Sequence, residues 1–383
     1  MKLYTKFALR LFGIIILETW LTGCVSSCDL PASPEGSAPE KSQAPGQASA
    51  LTIATWNLQA LFDGSESGME YDEYRTQTGW TEEKYQARLT ALTQAAKSMV
   101  NTGKEEGPPD ILAFQELENP GILKTLAEES LAGKGYGWSF FANNPGSSLG
   151  IGVLSRYPLL ETKIHSVNSG NNAIPRPVME IRIEQQNKPL VLFVCHWKSK
   201  LGNDIVTESL RRSAARVILR RLREIEEKAP GTPAVILGDL NENHDEFYRR
   251  SGAVVSALLP DDPKAAELVF SVNEADFLVL SRTKPPENRY FAAGTTVLYT
   301  PWGSELQKGS YVYKNEWETI DHILLNGALF DGKDWEYDSC EVLHREPFTT
   351  AAGYPDTYNP RTGHGLSDHL PLLLKLKPPN SPP

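Results

Sequence analysis

Cysteine is scarce in this chain, with four residues in 383, and that scarcity excludes a disulfide-stabilised fold. Cys24 and Cys28 lie near the start, and Cys195 falls in an apolar run where it is expected as a small core residue. No Cys-x-x-Cys and no His-Glu-x-x-His motif occurs, which argues against a zinc site. Any metal would therefore be held by hard oxygen ligands.

An excess of positive charge is also lacking. The chain has 38 Lys and Arg against 48 Asp and Glu, for a formal net charge of −10. This balance argues against a generally basic surface of the kind that binds nucleic acid by releasing counterions. A polyanionic substrate would need local positive charge or bound cations.

The apolar run near the N-terminus, residues 11–17, is too short to span a bilayer. It follows three basic residues, as in a bacterial export signal. The sequence Leu21-Thr22-Gly23-Cys24 resembles a lipobox, in which the cysteine becomes lipidated after cleavage. We therefore predict a signal peptide over residues 1–23 and lipidation of Cys24, with an ordinary secretory signal as the alternative.

Residues 24–50 are rich in Pro, Ser and Ala and predict a disordered tether. No second linker interrupts residues 51–377, so we predict one domain there, followed by a disordered tail over 378–383. Together with the signal, this organisation predicts an extracytoplasmic protein of the bacterial cell envelope, anchored to the membrane by its N-terminal lipid or else secreted. No protein partner is implied, and we expect a monomer.

Short apolar runs alternate with two helical patterns, and both tight hairpins and helical crossovers occur, which predicts mixed sheets. The predicted helices cover residues 82–100 and 207–228. The predicted strands are 51–57, 110–116, 150–155, 178–184, 189–196, 233–239, 275–280, 319–325 and 370–376.

The second predicted helix carries a basic face that could touch a polyanion. We interpret it instead as a solvated outer face with intrahelical partners such as Glu226 and Glu227. Its members are Arg211, Arg212, Arg216, Arg220, Arg221 and Arg223.

Five apolar runs end in a side chain that could bind a metal or move a proton, and a sixth run is preceded by two such residues. Buried strands have no structural need for polar ends of this kind. Strand ends that converge on one point do need them, because an open sheet builds its pocket there. The pattern indicates an enzyme. The residues concerned are Asn57, Glu116, His196, Asp239 with Asn241, Asp321, and Asp368 with His369.

Asp239 and Asn241 are the most informative pair, because residues two apart on an extended chain point the same way. A carboxylate there can activate water while the amide orients a phosphoryl oxygen. The alternative is a plain turn after a strand. Glu116 paired in space with Asp368 would suit Mg²⁺ or Mn²⁺, and the alternative for a lone Glu at a strand end is a solvated side chain.

His196 and His369 have the near-neutral pKa needed to shuttle protons, and each could equally be a structural histidine taken alone. Their combination with Asp239, Asp321 and Asp368 favours catalysis. His322, next to Asp321 on a predicted strand, is expected to face away and to be structural.

Taken in order, seven motifs resemble the endonuclease/exonuclease/phosphatase superfamily, and the resemblance covers residues 51–376. It implies a DNase I-like, four-layer α/β sandwich: two packed mixed β-sheets flanked by helices, with the site at one edge. The motifs are Thr55-Trp56-Asn57, Phe114-Gln115-Glu116-Leu117, Arg176-Pro177, His196-Trp197-Lys198-Ser199, Gly238-Asp239-Leu240-Asn241, Ile320-Asp321-His322-Ile323-Leu324 and Ser367-Asp368-His369-Leu370-Pro371.

The resemblance also implies a role for each polar residue. A divalent cation would be held by Glu116 with Asn57 and Asp368. Mg²⁺ or Mn²⁺ is the expected ion, and Ca²⁺ is a candidate for a secondary structural site. Phosphate would be contacted by Arg176 and Asn241. The residues that would activate water, handle protons or orient them are His196, Asp239, Asp321 and His369. The Tyr or acidic residue that some members carry between Glu116 and Arg176 has no evident counterpart, and Asn143 or Asn144 is the candidate for its place.

The same resemblance favours an exported nuclease that cleaves DNA or RNA, with Arg176, Lys198 and Lys200 supplying local positive charge. A phosphatase or a sphingomyelinase-like phospholipid phosphodiesterase is the alternative. Its membrane-inserting aromatic hairpin would have to come from residues 290–302, whose aromatics could also pack locally. A third reading is a surface lipoprotein that only binds.

Overall fold

The computed structural model describes residues 50–101, 106–169, 172–173, 176–185, 187–202, 204–269 and 276–379. These residues belong to one compact unit. The predicted signal peptide, Cys24 and nearly all of the predicted tether lie outside them, as does most of the predicted tail. Within the described ranges, none of the helices has both the length and the apolarity needed to cross a bilayer.

The strands, numbered in chain order, are β1 (Leu51–Leu61), β2 (Val100–Asn101), β3 (Glu106–Gly107), β4 (Ile111–Leu117), β5 (Trp138–Ala142), β6 (Gly150–Ser155), β7 (Leu159–His165), β8 (Asn168–Ser169), β9 (Asn172–Ala173), β10 (Val178–Gln185), β11 (Lys188–His196), β12 (Ala234–Asp239), β13 (Leu258–Pro260), β14 (Leu278–Ser281), β15 (Val297–Tyr299), β16 (Tyr311–Tyr313), β17 (Glu316–Glu318), β18 (Asp321–Leu325), β19 (Glu336–Val342) and β20 (Leu372–Lys377). The α-helices are α1 (Glu82–Lys97), α2 (Pro120–Thr125), α3 (Asp204–Lys228), α4 (Glu246–Arg249) and α5 (Pro263–Val269).

Two large mixed sheets form the body of the protein. The first has six strands in the order β19-β20-β1-β4-β6-β5, and the second has eight in the order β13-β14-β15-β18-β12-β11-β10-β7. In the first sheet β1 pairs parallel with β4 and antiparallel with β20. In the second, β12 pairs parallel with β11 and antiparallel with β18.

Alternating side chains on the central strands show how the layers stack. On β1, Ile53 belongs to the apolar cluster shared by the two sheets, whereas Trp56 belongs to the cluster that includes Leu89 and Leu92 of α1. On the second sheet, Phe193 packs in a cluster with Ile218 of α3. Because successive strand residues face opposite sides, each sheet is covered by its partner on one face and by a helix on the other. The predicted four-layer α/β sandwich is confirmed.

The sequence pattern missed β5, β7 and β19, which lie at the ends of the two sheets. Edge strands bury little on their outer side, so they lack a continuous apolar run; β7, for example, has no buried residue. The predicted helices differ from the structure at one end each, since α1 stops at Lys97 and α3 already begins at Asp204.

The interpretation of the basic face of α3 as solvated is wrong for Arg211, which is fully buried. Its guanidinium donates to Glu208 at 2.7 Å, to Glu242 at 2.9 Å and to the Lys198 carbonyl oxygen at 3.2 Å. The partners lie on loops as well as on the helix, so this arginine ties together two loops that follow β11 and β12.

Other arginines of the same face also reach beyond the helix. Arg221 donates to Glu180 of β10 at 2.7 Å, and Arg212 donates to Asp276 at 2.6 Å. Arg220, in contrast, has a side chain that is 63% exposed and pairs only loosely with Glu224 along the helix, 3.7 Å away. The solvated interpretation therefore fails where the helix faces the sheet and its loops.

Replacement of Arg211 is expected to destabilise the fold. The change Arg211→Met would leave Glu208 and Glu242 buried without their cation, and breaking a buried pair in this way costs roughly 3–5 kcal/mol. Urea denaturation followed by circular dichroism measures the free energy of unfolding. Arg220→Met is the matched control, with an expected change within about 0.5 kcal/mol for an exposed site. Equal stability of the two variants would contradict this role for Arg211.

Candidate active site

The polar strand ends meet at a cavity of about 320 Å³. Strand pairing explains the convergence in the second sheet, because His196 pairs with Asp239 and Asp239 pairs with Asp321 on three neighbouring strands. The cavity is lined by Glu116, Arg176, His196, Ser199, Lys200, Leu201, Asp239, Asn241, Tyr311, Tyr313, Glu318, Ile320, Asp368 and His369. A larger cavity of about 600 Å³, between α3 and residues 294–297 and 326–331, contains none of the predicted site residues.

His369 and Asp321 form a buried pair, with His369 Nδ1 2.8 Å from Asp321 Oδ2. Ser310 Oγ donates to the same carboxylate oxygen at 2.6 Å, and the Trp302 indole donates to the Asp321 carbonyl oxygen at 2.9 Å. Burial disfavours a charged ring, but the adjacent Asp321 carboxylate outweighs it and holds the pKa of His369 well above the ordinary value. Without a bound cation, the ring is therefore protonated at neutral pH.

Asp239 is held by two amide donors, one on each carboxylate oxygen. Asn57 Nδ2 donates to Oδ2 at 3.0 Å, and the Asn241 backbone N–H donates to Oδ1 at 2.8 Å. Burial raises the pKa of Asp239 to about 7, although the charge of His369 works in the opposite direction. A carboxylate with this pKa can accept a proton at neutral pH.

Asn241 reaches the cavity by a route different from the predicted one. The strand ends at Asp239, and Asn241 has a left-handed backbone with φ of 51°. The two side chains are therefore not paired by strand alternation, because the chain turns after Leu240. Asn241 Nδ2 donates to the Trp197 carbonyl oxygen at 3.1 Å, which fixes its amide beside the loop after β11.

Gly238 is needed for the close approach of β11 and β12. Its φ is 128°, and a Cβ there would lie 2.1 Å from the Cys195 carbonyl oxygen. Any side chain would push the two strands apart just where His196 and Asp239 must lie next to each other.

Irregular backbone turns Glu116 toward the cavity. Glu116 has a φ of 67°, and the register between β4 and its neighbours shifts around it. Left-handed non-glycine residues cost about 1–3 kcal/mol each when strained and cluster at functional sites. Glu116 Oε2 accepts the Ala60 N–H at 2.7 Å, and Oε1 lies 3.5 Å from His196 Nε2.

The matching irregularity in β1 is stabilised by Arg88 of α1, a buried side chain. Gln59 and Ala60 both have positive φ, and their carbonyl oxygens accept from Arg88 at 2.7 and 3.0 Å. A third bond, to the Leu58 carbonyl oxygen at 2.5 Å, completes the set. The helix thus binds carbonyl groups that the bulge releases from the sheet.

Asp368 lies beside His369, with Oδ1 3.9 Å from His369 Nε2, and its backbone N–H donates to Gln59 Oε1 at 3.0 Å. Burial raises the pKa of Asp368, and the nearby Glu116 raises it further although His369 opposes both. Burial also holds the pKa of His196 well below its ordinary value, with Arg176 and His369 adding to the effect, so this second ring is neutral.

The cavity carries more negative than positive charge. Glu116, Asp239, Glu318 and Asp368 line it, and the positive side chains among the lining residues besides His369 are Arg176 and Lys200. Lys200 is itself paired with Glu246 at 2.7 Å, which was not foreseen from the sequence and reduces its value as a phosphate contact. A cation in the cavity would offset the repulsion between these carboxylates and an entering phosphate.

Two donor sets could hold such a cation. Atoms of Asp239, Asp321 and His369 lie within 4.8 Å of one another and could do so. The set predicted from the sequence is different: Glu116 and Asp368 line the same cavity, and Asn57 is tied to Asp239. In the first set, His369 Nδ1 and Asp321 Oδ2 already bind each other at 2.8 Å, and the Asp239 carboxylate already accepts from Asn57 and from the Asn241 backbone N–H.

Other predicted residues have separate places. Arg176 lines the cavity and donates through Nη1 to the Trp197 carbonyl oxygen, whereas Lys198 binds Ser199 Oγ at 3.0 Å outside the lining. Asn143 and Asn144 do not line the cavity; Asn143 donates to the Ser147 carbonyl oxygen at 2.8 Å. His322 is fully buried and binds the Glu242 carbonyl oxygen at 2.8 Å, which confirms it as structural.

Sequence reasoning assigned no role to Tyr311, Ser310 or Gln59. The Tyr311 ring lies 4.6 Å from the His369 ring, and Gln59 Oε1 accepts from both Asp368 and Tyr358. The contacts of Ser310 with Asp321 and of Tyr311 with His369 depend on a hairpin whose position the sequence does not reveal.

Comparison with known proteins places this geometry in context. A family model described as the Endonuclease/Exonuclease/phosphatase family matches residues 54–369. No curated protein matches the sequence.

Three solved structures cover 86% of the chain. Humanized D. rerio TDP2 is 15% identical, is covered over 100% of its length and has a TM-score of 0.47. The human Nocturnin catalytic domain with bound sulfate anion is 15% identical, 93% covered, with a TM-score of 0.48. The endonuclease/exonuclease/phosphatase from Bacteroides vulgatus is 16% identical, 100% covered, with a TM-score of 0.48. None of these likenesses bears on the substrate.

Removal of the Asp321 charge is expected to lower the pKa of His369. In metal-free protein the wild-type ring stays protonated through neutral pH, and Asp321→Asn should let it lose its proton at a lower pH. NMR titration of the histidine ring nitrogens measures this directly. Glu318→Gln, which removes a different carboxylate from the cavity wall, serves as the control and should leave the titration of His369 in place. Identical titrations in wild type and Asp321→Asn would show that the pair does not set the charge.

Proposed function

The chain belongs to the endonuclease/exonuclease/phosphatase family, whose members are generally hydrolases of phosphoester bonds, and on this basis we propose that it is a divalent-metal-dependent nuclease cleaving DNA or RNA. The observation that carries the proposal is that one cavity contains both a group that can accept a proton and a group that can donate one. Asp239, with a pKa near neutrality, and His369, held protonated by Asp321, both line it.

The residues present fit a hard divalent cation, because the available donors are carboxylate and amide oxygens facing a cavity with excess negative charge. We assign Mg²⁺ or Mn²⁺ to Glu116, Asn57 and Asp368. A cation held by Asp239, Asp321 and His369 would instead have to displace the 2.8 Å bond between His369 and Asp321. When bound, the ion neutralises phosphate charge and polarises the phosphorus–oxygen bond.

The side chains themselves supply the proton transfers. Asp239, fixed by Asn57 and the Asn241 N–H, orients the attacking water and accepts its proton. The water oxygen forms a bond to phosphorus as the bond to the leaving oxygen breaks. His369 gives its proton to that leaving oxygen, and Asp321 stabilises the charged ring before transfer.

The remaining cavity residues bind the phosphoryl group. Asn241 uses one amide N–H on Trp197, which leaves its second N–H for a phosphoryl oxygen. Arg176 adds a positive charge at the same cavity. His196 is neutral because it is buried, so it can donate a hydrogen bond without adding a charge. Its Nε2 lies 3.5 Å from both Glu116 and Asp239.

The aromatic residues of the 290–302 segment argue against a phospholipid substrate. Tyr299 and Trp302 are buried, and Phe291 packs on Phe277 with ring centroids 6.1 Å apart. Only Tyr290 of the four aromatics considered is strongly exposed. A hairpin that inserts into a membrane would need several exposed rings together, so the segment supports local packing and leaves the nuclease as the better proposal.

Nuclease activity is tested by offering supercoiled plasmid, single-stranded DNA, RNA, sphingomyelin and inositol phosphates to residues 51–383 with Mg²⁺. We expect cleavage of nucleic acid that chelator abolishes and that falls at least ~10²-fold in Asp239→Asn, the lower range for a general base. Lys333→Gln, an exposed change away from the cavity, is the control. Cleavage of lipid or phosphomonoester with intact nucleic acid would reject the nuclease, and silence on all substrates would favour a binding protein.

We also propose that the protein is exported and anchored through a lipid on Cys24, in a bacterial cell envelope. Full-length protein produced in a bacterium should incorporate radiolabelled palmitate and sediment with membranes, whereas Cys24→Ser should do neither. Cys28→Ser, four residues further along, is the matched control and should behave as wild type. Labelling that persists in Cys24→Ser would contradict the assignment.

A further inference from the structure

The hairpin β16–β17 forms one wall of the cavity and presents two different faces. Its register pairs Tyr311 with Glu318, Val312 with Trp317 and Tyr313 with Glu316. Tyr311 and Tyr313 line the cavity, as strand alternation requires for residues two apart. Trp317 faces the other way, where it stacks on Tyr354 with ring centroids 5.9 Å apart and planes 5° apart.

The base of this hairpin is anchored at the reacting groups. Tyr311 forms a backbone bridge with His369, and the planes of their rings are tilted by 31° at a centroid distance of 4.6 Å. The Leu370 N–H donates to the Ser310 carbonyl oxygen at 2.8 Å. Ser310 Oγ binds Asp321. The hairpin therefore has a fixed position relative to the His369–Asp321 pair.

The outer part of the same wall is open. Tyr313 is 48% exposed, and Leu201, another residue of the cavity lining, is 77% exposed. Two strand residues span about 6.6–6.8 Å, so Tyr313 lies roughly that far beyond the ring that contacts His369. An exposed aromatic ring on the wall of this cavity, so close to the ring that contacts His369, has the geometry of a platform on which a base could stack.

From this arrangement we infer that Tyr313 stacks on the unpaired base next to the scissile phosphate, an inference that rests on the proposed nuclease function. Leu201 forms the apolar rim of the same cavity. A base can stack on a side chain only when it is free of its neighbour in a duplex. The preferred substrate is therefore single-stranded nucleic acid or a frayed end.

The turn of the hairpin argues against a membrane contact at this place. The chain reverses through Lys314 and Asn315, both with positive φ, and the Lys314 ammonium lies 5.1 Å from the Tyr313 ring centroid. A charged and polar tip with Glu316 next to it is poorly suited to hydrocarbon. The same cation beside the ring is favourable for a polyanionic strand.

The experiment uses short single-stranded oligonucleotides with one cleavable linkage, other linkages being nuclease-resistant. One substrate has a normal nucleoside beside that linkage and the other has an abasic residue. For the wild type, loss of the base should raise KM about 10-fold, within the range for stacking of a base on an aromatic side chain. Tyr313→Ala should show the raised KM on the normal substrate and no further penalty on the abasic one.

Tyr313→Trp should restore the preference for the intact base, because it restores a flat ring. Tyr290→Ala is the matched control, since Tyr290 is 49% exposed on another loop, and it should keep the wild-type penalty. Unchanged melting temperatures show that the variants are folded.

Each result separates this inference from the proposed function. If no oligonucleotide is cleaved by the wild type, the nuclease proposal fails and this inference fails with it. If cleavage occurs but the abasic penalty is the same in Tyr313→Ala as in wild type, the stacking platform alone is rejected. Loss of binding to phosphatidylcholine–sphingomyelin vesicles in Tyr313→Ala, with oligonucleotide KM unchanged, would instead identify a membrane contact and overturn the inference.

Discussion

The lateral pairing of β11, β12 and β18 is the constraint on which the candidate site depends. It puts His196, Asp239 and Asp321 in one row across the second sheet. The bond between Asp321 and His369 then joins this row to the chain segment that leads into β20 of the first sheet. Gly238 makes the row possible, because β12 can approach Cys195 closely only without a side chain there. The candidate site thus lies where the two sheets meet at one edge.

Burial disfavours the charged forms of Asp239, His196 and His369, but only the first two follow this effect. The same removal from water that raises the pKa of Asp239 lowers the pKa of His196, because in both cases the charged form is disfavoured. His369 escapes this trend, since Asp321 lies in contact with it. One cavity therefore contains a basic carboxylate, a neutral imidazole and a charged imidazole, and its surplus carboxylates provide for a cation.

Much of this arrangement could be predicted from the sequence, because polar residues at the ends of apolar runs are a local signal. Asn57, Glu116, His196, Asp239 and His369 were found in that way. The rest depends on features without such a signal. Asn241 and Glu116 face the cavity through left-handed backbone, edge strands such as β7 lack an apolar pattern, and the partners of Arg211 come from loops that only the folded chain brings together. The place of the 311–318 hairpin likewise follows from long-range contacts.

Because Arg88 binds the carbonyl oxygens of residues 58–60, the candidate site cannot be separated from helix α1 without loss of these bonds. The guanidinium of Arg88 joins helix α1 to strand β1, where it binds the carbonyl oxygens of the irregular segment. This segment lies next to Glu116, a candidate metal ligand. If the strand ends that carry the site residues were grafted onto another fold without α1, the carbonyl oxygens of residues 58–60 would lose their hydrogen-bond donor. Shortened versions of this protein should therefore retain α1, even though that helix contributes no side chain to the cavity.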